Sequence, residues 1–163
     1  MPEVIADTSI MQYLFQTNHL FLLPSLYNNV VLPIAVRDEL ETGRNCGILL
    51  PKPDDFEWIQ LIYVDEQSLV PQTPGLGRGE REVLSLAVNR SNSLALLDDG
   101  LARQYAKRLS IRFTGTLGIL LKAKQAGLID QIGPVVDLLN QLGFRASEET
   151  RAAVLRLAAE GDS

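Results

Sequence analysis

Residues 79–126 read GEREVLSLAVNRSNSLALLDDGLARQYAKRLSIRFTGTLGILLKAKQA, and this stretch decides the fold. Val83, Leu84 and Ala87 follow Glu80 at three, four and seven residues, which predicts a helix over 79–90 with those positions on one face. The apolar run Leu94 to Leu97 predicts a strand that ends at Asp98 and Asp99. A helix over 99–109 follows, with Leu101, Ala102, Tyr105 and Ala106 on one side and Arg103, Lys107 and Arg108 on the other, which reads as a solvated basic face. Ile111 to Phe113 is the next strand and 116–126 the next helix. Such alternation implies βαβ crossovers and an α/β fold whose mostly parallel sheet is covered by helices on both faces.

The same rhythm extends toward the N-terminus. Val4 to Ala6 is a short strand ending at Asp7, and Ser9 is placed to cap a helix carrying Ile10, Tyr13 and Leu14. A second helix is expected over His19 to Tyr27, then a strand at Val30-Val31-Leu32. Pro33 favours a first helical turn and opens a helix over Ile34 to about Glu41 that stops near Gly43. Residues 43–57 and 65–79, rich in Gly, Pro, Ser and Gln, read as loops around a strand at Ile59 to Val64. Two helices close the chain, near 130–142 and near 147–160, the last capped by Ser147 with Glu148 and Glu149 in its first turn.

Composition narrows the chemistry. The 163 residues, 46% hydrophobic and 21% charged, suit one globular domain with a core. A single Cys, Cys46, excludes a disulfide framework and a Cys-rich zinc site, and a single His, His19, excludes multi-His metal motifs. The opening residues lack a basic segment followed by an apolar run, and no stretch approaches the roughly 18 apolar residues of a membrane span, so a soluble cytoplasmic protein is expected. The net charge of −5 argues at first against a nucleic-acid partner, but it is unevenly spread. Residues 1–77 hold 3 basic and 10 acidic side chains, residues 78–124 hold 9 and 4, and residues 125–163 hold 3 and 6.

The acids fall where a site would form. Asp7 follows the first strand, and Asp98 and Asp99 follow the Leu94 to Leu97 strand; in open parallel sheets ligands bind at that carboxyl edge. Glu39 shares the face of Ala35 and Val36, whereas Asp38 and Glu41 point elsewhere, and Glu80 shares the face of Val83 and Leu84. Carboxylates beside a core are costly unless a cation or proton neutralises them. Four or five convergent acids with no His or Cys describe an oxygen-only site for Mg²⁺ or Mn²⁺. Thr114-Gly115-Thr116 adds hydroxyls and a helix start at the same edge, and Arg78 and Arg81, flanking Glu80, can steer a phosphate backbone. Taken singly, each acid also has an ordinary reading: Asp7, Asp98 or Asp99 as a helix cap, Glu80 as a dipole partner, Glu39 as a solvated helix acid.

Asp7-Thr8-Ser9, Glu39 in Val36-Arg37-Asp38-Glu39-Leu40, Glu80 in Gly77-Arg78-Gly79-Glu80, Leu96-Leu97-Asp98-Asp99 and Thr114-Gly115-Thr116 together resemble the PIN domain, in the same order. The resemblance runs from residue 2 to about 145, leaving 146–163 as a C-terminal helix appended to the 1–145 domain. It implies a three-layer α/β/α sandwich and a metal-dependent ribonuclease, related to the toxins of toxin-antitoxin pairs. In that reading Asp7, Glu39, Glu80 and Asp98 are catalytic and hold Mg²⁺ or Mn²⁺, with Asp98 and Asp99 both in contention for the last ligand. Ser9, Arg78, Arg81, Thr114 and Thr116 support the site or position RNA, and an antitoxin or a second copy of the chain is an expected partner. The alternative of another class is an inactive PIN-like module that binds RNA or protein. A phosphatase of the haloacid dehalogenase type fits poorly, because position 9 is Ser where an Asp-x-Asp motif needs acid.

Overall fold

The computed structural model describes residues 1–160. Five strands, β1 (Glu3–Ala6), β2 (Val30–Pro33), β3 (Ile59–Ile62), β4 (Ser93–Leu96) and β5 (Arg112–Thr114), form one parallel sheet in the order β3-β2-β1-β4-β5. Each pair is joined through helix, as parallel pairing requires. The helices are α1 (Thr8–Gln16), α2 (Leu22–Tyr27), α3 (Ile34–Asn45), α4 (Arg78–Val88), α5 (Gly100–Arg108), α6 (Thr116–Gln125), α7 (Gly133–Gln141) and α8 (Glu148–Leu157). Helix α4 lies across β2, β1 and β4 with α5 beside it, while α1 and α2 pack with α6, giving the three-layer α/β/α sandwich. The central strands are apolar on both faces, with Val4, Ile5, Ala6, Val30, Leu32, Ala95 and Leu96 all buried, as a sheet covered on both sides demands.

The chain runs outward from β1 through β2 to β3, then returns to the other side of β1 for β4 and β5. The strand order therefore switches at β1, and the crevice beyond the carboxyl ends of β1 and β4 is where such a sheet places ligands. In register, Ala6 stands opposite Leu96, so Asp7 and the Asp98 turn emerge side by side.

Several element ends differ from the sequence reading. Helix α2 starts at Leu22 rather than His19, because Asn18, at φ 62°, turns the chain out of α1 and the His19 N–H donates to Leu14 O at 2.7 Å, completing the end of the first helix. Helix α3 runs past Gly43 to Asn45: the glycine is there to admit Leu50, whose Cδ1 a Cβ would overlap. Strand β3 ends at Ile62, and α4 takes in Arg78. Ser9 does not cap α1; the cap position is Asp7 and Ser9 lies inside the helix.

The C-terminal segment folds back onto the rest. Glu160 accepts hydrogen bonds from the Ile132 and Gly133 backbone N–H groups at 2.8 and 2.9 Å and pairs with Lys124 at 2.8 Å. Leu155 and Ala158 are buried under this clamp. Of the expected 147–160 helix, α8 covers Glu148–Leu157, and residues 161–163 of the segment 146–163 lie outside the described residues. No helix among the described residues is long and apolar enough to cross a membrane.

Candidate active site

Asp7 occupies the cap position of α1 in extended backbone, φ −89° and ψ 169°, yet its carboxylate makes no capping hydrogen bond. It is 4% exposed, so it sits at the switch point as a buried acid. Glu39 reaches the same place from α3, where Thr8 Oγ1 donates to its Oε1 at 2.5 Å and the Gly79 N–H to its Oε2 at 3.1 Å. The first turn of α4 comes this close because Gly79 lacks a side chain: a Cβ there would overlap Glu39 Oε1 and lie 3.2 Å from Asp7 Oδ1.

Glu80, in that same turn, accepts from the Gly77 N–H at 2.8 Å. Asp98 accepts from the Thr116 N–H at 2.8 Å and the Thr116 hydroxyl at 2.7 Å, with Ser9 Oγ at 3.4 Å. Asp99 accepts from the Ala102 N–H at 3.0 Å and caps α5. Asp99 carries the α5 cap, while Asp98 is held by Thr116 at the start of α6, and both line the cleft with Asp7.

These side chains share one cleft of about 660 Å³, lined by Asp7, Thr8, Ser9, Glu39, Glu80, Asp98 and Asp99, with Gln12, Tyr13, Phe144 and Arg145 on its far wall. Burial pushes the Asp7 carboxyl up to about 8; the Thr8 backbone N–H opposes this, and the charges of Glu80, Glu39 and Asp98 add to it. Glu80 is raised as well, by burial first, against the Gly77 N–H and with the help of Asp99. Four carboxyl groups from β1, α3, α4 and the β4 end therefore crowd a space that favours their protons or a cation. The donors are all oxygen, which suits a hard divalent ion. In the arrangement described, no group of three or more His, Cys, Asp or Glu among the described residues is set to hold a metal ion. Glu39, Glu80, Asp98 and Asp99 each accept from an N–H or O–H of the protein. The residues fit a cation in type, and their side chains would have to turn to share it.

The structure places Thr116 and Ser9 against Asp98, each within hydrogen-bond distance of its Oδ2. The structure does not bring Arg78 and Arg81 to the acids. Arg78 pairs with Asp38 at 3.2 Å, and Arg81 donates its Nε to Val70 O at 2.8 Å; both line a separate concavity with Tyr63 and Glu66. Thr114 lines a groove on the other side of Asp98. That groove also holds Arg103, which the helical pattern assigns to a solvated face; instead its Nε donates to Leu97 O at 2.8 Å and its guanidinium stands 5.3 Å from the Phe113 ring centre. Sequence reading also misses Thr8, the donor to Glu39, and the Phe144-Arg145 wall. Thr8 carries a signal, since it sits inside Asp7-Thr8-Ser9, whereas Phe144 and Arg145 follow a helix end with no local mark of a site. A further cleft between α7 and α8 is lined by charges that pair with one another, Lys124 with Glu160 and Asp137 with Arg151.

A family model described as a PIN domain matches residues 3–160. No curated protein matches the chain.

Proposed function

The chain belongs to the PIN-domain family, and from that premise we propose that it is a Mg²⁺- or Mn²⁺-dependent endoribonuclease that hydrolyses RNA phosphodiester bonds in the Asp7 cleft. PIN domains are generally nucleases that depend on divalent metal and act on nucleic acid.

The observation that carries the reading is Asp7: a carboxylate 4% exposed, freed from capping, and crowded by Glu39, Glu80 and Asp98 at the switch point of the sheet. An acid in that setting has no structural return, and a cation is the partner that would offset its burial. Asp7, Glu39, Glu80 and Asp98 would hold the ion, with Asp99 at the rim. When bound, it would supply a water of lowered pKa and stabilise charge on the phosphoryl oxygens. Thr116 and Ser9 would orient the Asp98 carboxylate, and Thr8 with the Gly79 N–H would orient Glu39. Asp7→Asn should abolish RNA cleavage while the circular dichroism spectrum stays native. Full activity in that variant, in protein free of contaminating nuclease, refutes the assignment.

A second reading is an inactive PIN-like module that binds RNA or a protein. It is favoured by the engagement of Glu39, Glu80, Asp98 and Asp99 with protein donors. Calorimetry with Mn²⁺ separates the two: no association at millimolar metal, together with no cleavage, selects the module. We further propose a cytoplasmic toxin of a toxin-antitoxin pair, acting as a homodimer, with a small antitoxin placing a basic side chain among the acids. In that proposal 1–145 is the PIN-like domain and 146–163 an appended helix of the same unit. Growth arrest on expression, relieved by the product of a neighbouring gene, is its test.

A further inference from the structure

The groove on the far side of Asp98 is contiguous with the acid cleft, because Asp98, Phe144 and Arg145 line both. It encloses about 390 Å³ and adds Arg103, Phe113, Thr114, Gly115, Ser147 and Thr150. A strand whose reactive phosphate lay among the acids would continue over Asp98 into this groove.

Arg103 is built to meet it. Its Nε is tied to Leu97 O at 2.8 Å and its plane rests near Phe113, so the side chain is held by one nitrogen and one ring. Among the described residues no carboxylate lies within ion-pair distance of it, and no hydrogen bond is formed by either terminal nitrogen. Arg103 is half-buried in the groove wall, with Nη2 on the Asp98 side. A guanidinium held at Nε, with no hydrogen bond spent by its terminal nitrogens, keeps the fork that matches a phosphate.

Gly115 provides an independent mark. Its backbone, φ −119° and ψ −172°, is one that any residue adopts, so conformation does not call for glycine. A Cβ at 115 would instead overlap the Arg103 Nη2 and lie 2.6 Å from Asp98 Oδ1. The absent side chain leaves room for the guanidinium beside the last acid of the cleft.

We propose that Arg103 binds a backbone phosphate of the nucleic-acid strand, adjacent to the one held among the acids, and sets the register of the strand in the cleft. This rests on the nuclease reading of the Asp7 cleft. The test uses the full chain and a short single-stranded oligoribonucleotide in EDTA, read by fluorescence anisotropy over a salt series. Arg103→Gln should weaken binding about tenfold or more. It should also reduce the slope of log affinity against log salt by about 0.7, one phosphate contact. Arg103→Lys, which keeps charge and loses the fork, should fall between. Arg108→Gln, on the exposed side of the same helix, should stay within twofold of wild type. Binding by Arg103→Gln equal to wild type, or a loss no larger than that of Arg108→Gln, overturns the proposal.

If Arg103→Gln fails to fold, Gly115→Ala keeps the arginine and displaces it. The same affinity loss in that variant supports the proposal, and wild-type affinity overturns it. Binding of RNA that depends on Arg103 without cleavage under any divalent metal supports this proposal and removes the nuclease reading. Cleavage with the KM of Arg103→Gln unchanged does the reverse.

Discussion

Asp7→Asn should make the metal-free protein more stable, and the gain can be worked from the site. The Asp7 carboxyl moves from an ordinary 3.8 to about 8 on folding, so the folded state holds a proton that the unfolded chain releases between those values. Stability from this group is full below 3.8, is lost progressively as pH rises toward 8, and is flat above. At pH 7 the gap corresponds to a penalty of at most about 4 kcal/mol. Relaxation around the carboxyl and water in the cleft reduce it, so a gain of about 2 kcal/mol is the expectation for the isosteric amide. In a chain of this size that raises Tm by roughly 4–8 °C. The assay is thermal unfolding in EDTA from pH 5 to 9. Wild type should lose stability with rising pH, Asp7→Asn should show a flatter profile, and the two should diverge most at the alkaline end. Added Mn²⁺ should raise the wild-type Tm and leave the variant nearly unmoved. An Asp7→Asn protein that melts at or below the wild-type temperature at pH 8, with the wild-type pH slope, refutes the account of Asp7 as an uncompensated buried acid.

Three other perturbations separate roles within the molecule. Asp98→Asn should cost cleavage at least tenfold with little change in Tm, whereas Asp99→Ala should lower stability by about 1 kcal/mol through the lost α5 cap and reduce cleavage less; paired melting and single-turnover assays compare them. Gly79→Ala should weaken Mn²⁺ binding measured by calorimetry by about tenfold, a change of about 1.4 kcal/mol, because the new Cβ displaces Glu39 and presses on Asp7. Glu160→Gln should destabilise by about 1 kcal/mol or more, since the carboxylate holds Lys124 and the start of α7. Burial alone would raise that carboxyl, but Lys124 and the Ile132 and Gly133 N–H groups hold it below its ordinary 4.5; its contribution is present above 4.5 and lost as pH falls through the lowered value, which a denaturant series at acid pH reads out.

The parallel sheet and the acid cleft were legible because both rest on local pattern plus one topological rule. Apolar runs ending in acid mark strand ends, and helical spacing places Glu39 and Glu80 inward, so four residues distant in sequence are assigned to one edge without coordinates. Element ends were less legible where a residue serves its neighbour. His19 closes the first helix instead of opening the second, and Gly43 stays helical because Leu50 needs its space. The basic residues failed for a different reason. Helical spacing sorts side chains by face, but Arg103 is long enough to leave its face, reach Leu97 O and lie along Phe113. Proximity to Glu80 in sequence likewise did not bring Arg78 and Arg81 to the acids, since Asp38 and Val70 O take them first.

The whole-chain charge of −5 says little about a polyanionic partner, because it averages acids gathered in one cleft with basic groups placed elsewhere. Two unit charges about 4 Å apart repel by about 1 kcal/mol in water and more strongly in a cleft with less of it. A phosphate entering among Asp7, Glu39, Glu80 and Asp98 is therefore opposed until a cation is shared with it, and the acids alone cannot recruit RNA. In the proposal above, recruitment falls to Arg103, a cation beside Asp98 in the adjoining groove that touches the same strand. The division has a kinetic consequence. Ionic strength should act on KM through the groove, since it screens and competes for the phosphate contact, while metal concentration should act on kcat through the acids. Steady-state measurements over salt and Mn²⁺ would show the two dependences separating. A salt effect confined to kcat would mean that the strand is held by the acid cleft itself.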